Sequence, residues 1–174
     1  MSSLSSLKIS NITIKNYRTY YGEKPPIEIS TDSKKPVTVI HGISGRGKTS
    51  LLNAIHWCIY GKEKNVVKQK KETSEGLVHS YALDTLEVGK EENMFVRVIM
   101  VDEDDRIVFE IEREIIFKKI NSNNDEGWND DIQAVIPTSI QTETKATFGF
   151  RDIDTDELVR IQSLDGIKDR LEVI

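Results

Sequence analysis

Val37-Thr38-Val39-Ile40-His41-Gly42-Ile43-Ser44-Gly45-Arg46-Gly47-Lys48-Thr49-Ser50 is the stretch on which the reading of this chain turns. Its centre, residues 42–49, matches G-x-x-x-x-G-K-[ST] at every position. Residues 37–40 before it read as a short buried strand, and residues 50–60 after it as a helix with a broad apolar face. Strand, glycine loop and helix is the order in which this motif cradles phosphate. The glycines let successive N–H groups turn inward on an anion, and the helix that follows presents the positive end of its dipole. Lys48 is expected to reach the β- and γ-phosphates as a mobile point charge, and the hydroxyl of Thr49 to hold magnesium. The expected ligands are therefore a nucleoside triphosphate and Mg2+. The expected nucleotide-binding residues of this stretch are Gly42, Ser44, Gly45, Arg46, Gly47, Lys48, Thr49 and Ser50.

Working outward, the 174 residues fit one domain of ordinary size, with 37% hydrophobic residues to supply a core. The 24 basic and 29 acidic side chains leave a net charge of −5, which argues against a strong nucleic-acid binder built on this segment alone. A local basic groove stays open. The one cysteine, Cys58, cannot form an internal disulfide and reads as a small buried hydrophobe in the helix. The first residues lack the basic start and apolar core of a signal peptide, and no apolar run approaches the roughly 20 residues that span a bilayer. A cytoplasmic location and no membrane partner are the expectation. His41, His56 and His79 show no metal-ligand spacing.

Residues 7–14 alternate in two phases, Leu7 and Ile9 in one and Ile12 and Ile14 in the other, which predicts a strand with a bulge near Asn11 or a crossing between sheets there. A short strand is expected at 27–29. Gly61 marks the end of the helix. Residues 62–75, rich in lysine, read as a solvated loop or as a basic DNA-facing patch. Residues 95–101 and 107–117 read as two strands joined by the acidic turn Asp102-Glu103-Asp104-Asp105. A polar loop over 121–131, short strands near 134–136 and 147–151, and a helix starting at Ser163 complete the chain.

The turn has a second reading. Val98-Ile99-Met100-Val101-Asp102-Glu103 has the form of a second nucleotide motif, in which Asp102 supports magnesium and Glu103 polarises the attacking water. On that reading the chain is a compact, self-sufficient P-loop NTPase. Against it, the chain returns at once as an alternating strand, which suits a hairpin turn.

Lys15-Asn16-Tyr17-Arg18-Thr19-Tyr20, the loop at 42–50, and Leu51-Leu52-Asn53-Ala54-Ile55-His56-Trp57-Cys58-Ile59-Tyr60-Gly61 together resemble the N-terminal lobe of SMC-like ABC-type ATPases. These include the double-strand-break-repair ATPases that partner a nuclease and the DndD-type ATPases of DNA sulfur modification and anti-phage defence; Tyr-Tyr-Gly at 20–22 and the Trp-x-x-Tyr-Gly ending lie closest to the DndD-like branch. The resemblance covers residues 7–61. It implies an α/β P-loop fold: a mixed sheet around the loop, an antiparallel hairpin sub-sheet, and a final helix leading to a coiled coil. It implies that residues 1–174 are a single domain, one lobe of a longer ATPase whose signature motif and catalytic Asp-Glu lie elsewhere. It implies a second head, in a homodimer, together with DNA and a nuclease or modification protein as partners. Lys48 then serves ATP hydrolysis only when the second lobe is present, and the isolated lobe binds ATP with little turnover. Arg18 is placed beside the phosphates by the same mapping, against its reading as an exposed turn residue. Ser44 stands where such ATPases often carry Asn.

Overall fold

The computed structural model describes residues 7–61, 74–103, 106–121, 138–151 and 157–161. Six strands form one sheet: β1 (Lys8–Lys15), β2 (Ile27–Glu28), β3 (Glu91–Val101), β4 (Ile107–Asn121), β5 (Thr138–Arg151) and β6 (Leu158–Ile161). Their order across the sheet is β2-β1-β3-β4-β5-β6. Helix α1 (Lys48–Tyr60) follows the glycine loop, and a short helix, α2 (Ser80–Asp84), follows a 3-10 turn at Ser74–Leu77.

Alternation along the strands explains why one face is covered. Ile12 and Ile14 of β1, Met94, Val96 and Val98 of β3, and Ile115 and Phe117 of β4 are all buried on one side. The pleat sends their neighbours to the other face. There Arg97 meets Glu112 and Asn93 meets Glu114, each at 2.7 Å, while Lys15 meets Glu92 at 2.8 Å at the start of β3. The register of β1 against β3 shifts between Ile9 and Asn11, and that bulge lets Ile9 and Ile12 join one core although they lie three residues apart.

Helix α1 lays Leu51, Ala54, Trp57 and Cys58 on the apolar face. It ends where Gly61 turns left-handed at φ 70° and returns its N–H to the Trp57 carbonyl at 2.8 Å. Cys58 is indeed a buried filler. Its thiol points at the Val96 and Ile111 carbonyls at 3.2 and 3.3 Å, and burial, only partly opposed by the Arg113 charge, pushes it up to about 12.

Two expectations change. The sheet is antiparallel in all five pairings, not mixed. Both edges of β1 are taken, by β2 and β3, so residues 37–40 have no place beside it and join no ladder. They are not buried either: Val37 is 73% and Val39 81% exposed. The expected strands at 95–101, 107–117 and 147–151 are present and longer than the patterns suggested, and the turn and α2 over residues 74–84 carried no periodic signal. The lysine-rich loop over 62–73, the polar stretch beyond Asn121, the strand near 134–136 and the helix from Ser163 fall outside the described residues.

Tyr17, fully buried with its ring 5.9 Å from Trp57, joins the sheet's exit turn to α1. Tyr17→Ala is expected to cost about 3–5 kcal/mol, the usual loss for a buried aromatic truncated to alanine. A lower denaturation midpoint at unchanged slope checks it.

Candidate functional site: the glycine loop and its anchor

The loop at 42–49 is built around two left-handed glycines, Gly45 at φ 79° and Gly47 at φ 94°. Gly47 is also buried, and a Cβ there would lie 2.7 Å from Thr19 Oγ1 and 3.3 Å from the Tyr20 ring. Backbone conformation and space both demand glycine. Lys48 opens α1 and bends back over the loop, its Nζ donating to the Gly42 carbonyl at 2.7 Å and the Ile43 carbonyl at 2.9 Å. The Arg46 N–H closes a turn onto the Ile43 carbonyl at 3.3 Å. Gly42, Ser44, Gly45, Arg46, Lys48 and Thr49 are exposed and Ser50 is half-buried, so the concave side of the loop faces outward.

An anchor beneath the loop went unread in the sequence. After β1 the chain makes a tight excursion over residues 16–22 with two left-handed residues, Asn16 at φ 52° and Arg18 at φ 47°. Asparagine tolerates this region because it can bond its own backbone locally. Asn16 is buried; its Nδ2 donates to the Asn93 carbonyl at 3.0 Å and its Oδ1 accepts the Gly22 N–H at 2.9 Å. The Arg18 N–H donates to the Leu77 carbonyl at 2.8 Å, and the His79 N–H to the Asn16 carbonyl at 2.7 Å. Held from both sides, the excursion presents the Tyr20 hydroxyl to the Gly47 carbonyl at 3.1 Å. Burial raises the Tyr20 phenol above its ordinary value, which keeps it a donor. The pairing of two positive-φ non-glycine residues has no hydrophobic pattern, so the sequence carried only a weak signal for it, the Lys-Asn-Tyr-Arg stretch itself.

The structure brings Arg18 into this excursion, half-buried. It does not bring Asp102 and Glu103 there. Val101 pairs with Lys8 at the start of β1, whereas Asn93, held by Asn16, begins the other end of β3. Nine residues of strand, about 30 Å, separate Asn93 from Asp102. Asp102 is buried and closes the hairpin: its carboxylate accepts the Arg106 N–H at 3.0 Å and Nε at 2.9 Å, and its own N–H donates to the Arg106 carbonyl at 3.0 Å. The turn reading is the one the chain adopts. Among the described residues no cluster of His, Cys, Asp and Glu could hold a metal by itself, and no helix is long and apolar enough to cross a membrane.

A family model described as an AAA domain matches residues 11–170. That is most of the chain, and the chain belongs to this family of P-loop NTPase domains. It is similar to the DNA replication and repair protein RecF of Natranaerobius thermophilus, with 32% identity over 65 residues, 37% of this chain. Those residues are 15% of that RecF, so the chain spans a small part of its relative's length. No solved structure matches.

Beside the anchor, burial works to raise Glu92, but the Lys15 ammonium bonded to it, the Asn93 N–H and the Lys15 charge outweigh that and leave it below the usual glutamate value. A carboxyl lowered by folding stabilises fully above its unfolded value and loses that contribution as pH falls through the folded one. The difference in melting temperature between wild type and Glu92→Gln should thus be largest near neutral pH and close below the carboxylate range; a gap independent of pH would contradict this.

Proposed function

We propose, from membership of the AAA domain family, that this chain is the phosphate-binding lobe of an ATPase head that works on DNA and is completed by a second lobe. The observation that carries the reading is a fully formed glycine loop entered by an apolar segment, residues 37–40, that pairs with no described strand and lies exposed. Val37, Val39, Ile40 and Ile43 lie exposed along residues 37–43, with Leu52 exposed on α1. Exposed apolar residues gathered along one short segment mark an interaction surface. The occupant proposed is a strand-bearing second lobe of the same ATPase. Similarity to a small part of a much longer repair protein supports that, and that protein's role in DNA replication and repair supports DNA as the wider substrate.

The residues present fit magnesium and ATP. Two left-handed glycines shape the loop, the N-terminal end of α1 opens onto it, and Lys48 is already held over it by carbonyls that phosphate oxygens can replace. When bound, Mg·ATP supplies the reactive phosphoanhydride and the metal that screens it. Lys48 holds the β- and γ-phosphate charge, the Thr49 hydroxyl the metal, and the N–H groups of the loop with Ser44, Arg46 and Ser50 orient the chain of phosphates. Arg18 adds a planar cation beside them. With Asp102 and Glu103 at the far end of β3, the acidic groups that complete hydrolysis come from the second lobe. Engagement of two such heads then controls access to DNA or a partner nuclease, in cytoplasm and away from membranes.

Lys48→Ala should abolish Mg·ATP binding in a calorimetric titration while Glu103→Gln leaves it, and any residual turnover, unchanged. Unaltered affinity in Lys48→Ala would sink the reading. Turnover of the isolated chain that Glu103→Gln removes would favour the self-sufficient NTPase instead.

A further inference from the structure

The peptide between Gly47 and Lys48 joins the loop to α1. Gly47 has no Cβ, so its peptide plane is the one freest to flip. Its carbonyl is held twice, by the Leu51 N–H at 2.9 Å and by the Tyr20 hydroxyl at 3.1 Å. No described peptide is cis, and in a trans peptide the N–H points opposite to the carbonyl. A carbonyl held along α1 therefore turns the Lys48 N–H outward at the helix's N-terminal end, the side on which the loop opens.

We infer that Tyr20 is a positioning residue for phosphate binding: its hydroxyl locks the Gly47–Lys48 peptide so that the Lys48 amide faces the anion before it arrives. This rests on the phosphate-loop reading above and deepens it. The device needs the ring to be placed firmly, and it is. The Tyr20 N–H donates to the Tyr17 carbonyl at 2.8 Å, Tyr17 is fully buried against Trp57, and Asn16 and Arg18 hold the excursion in two left-handed turns that their bonds to Asn93, Gly22 and Leu77 maintain. Thr19 closes the remaining space under Gly47, its Oγ1 lying 2.7 Å from where a Cβ would be. The ring approaches the loop from the carbonyl side of Gly47, the opposite side from the amide donor. Tyr20 therefore acts through the backbone and does not touch the ligand.

Tyr20→Phe keeps the ring and removes only the hydroxyl. The test compares wild type, Tyr20→Phe and Lys48→Ala by calorimetric titration with Mg·ATP and, separately, with magnesium tripolyphosphate, which carries no base. The expected result is a loss of about threefold to tenfold for Tyr20→Phe, the worth of one hydrogen bond, equal for both probes and with the melting temperature little changed. The amide resonance of Lys48 should also shift in Tyr20→Phe without any nucleotide. A ring that only fills space would leave both affinities and the resonance in place, and that result overturns the inference. So does a loss seen with Mg·ATP and not with tripolyphosphate, which would mean that Tyr20 touches the base. Loss of binding in Lys48→Ala with Tyr20→Phe unaffected rejects the role of Tyr20 alone. Failure of wild type to bind either probe rejects the phosphate-loop reading and this inference with it.

Discussion

The burial of Leu51, Ala54, Trp57 and Cys58 of α1 against β1, β3 and β4 is the interaction from which the remaining geometry hangs. There the helix after the glycine loop meets the sheet, which gives the loop a rigid base. Arg113 finishes the contact. Reaching up from β4, its Nε donates to the Cys58 carbonyl at 3.1 Å and its guanidinium lies 5.9 Å from the Trp57 ring, so a cation sits at the negative end of the helix dipole. The same guanidinium lies 3.3 Å from where a Cβ on Gly61 would be, which leaves glycine as the residue that fits the helix stop. Burial lowers Arg113 from its ordinary value, yet the helix carbonyl and the indole face give the charge a partner environment.

The molecule is finished on one side and open on the other. Beneath the loop, Asn16, Tyr17, Thr19 and Tyr20 satisfy the backbone and fill the space. Above it, residues 32–46 are exposed without interruption. Covering a valine or isoleucine is worth about 1.5–3 kcal/mol. Four such side chains along residues 37–43 therefore represent several kcal/mol available to a partner that adds a strand there. The exposed phosphate-facing side and the exposed apolar edge adjoin, so a lobe that docked on one would reach the other. That adjacency supports the proposal that a second lobe completes the site.

Much of this was legible in the residues. The glycine-loop motif marked the candidate site because its chemistry is local: glycines at fixed offsets, a lysine, a hydroxyl and a following helix. The bulge near Asn11, the helix stop at Gly61, the buried Cys58 and the hairpin at 102–106 each rested on a pattern within a few positions. The anchor did not. Asn16 bonds Asn93, Arg18 bonds Leu77 and Tyr20 bonds Gly47 across separations of 77, 59 and 27 residues, and no periodicity announces such pairings. The burial expected for residues 37–40 failed for the opposite reason. Valine and isoleucine report that a strand wants covering, not that its cover lies in the same segment.

By itself, then, the sequence determined what the phosphate loop is and that a helix must follow it, since those depend on the freedom of glycine and the charge of lysine at set spacings. Only the tertiary structure decided what holds the loop and what it lacks. Strand pairing assigned both edges of β1 to β2 and β3 and left residues 37–40 outside the sheet, and it carried Asp102 and Glu103 to the far end of β3. Those outcomes depend on which strands compete for an edge, and competition between distant segments is settled only once the chain has folded.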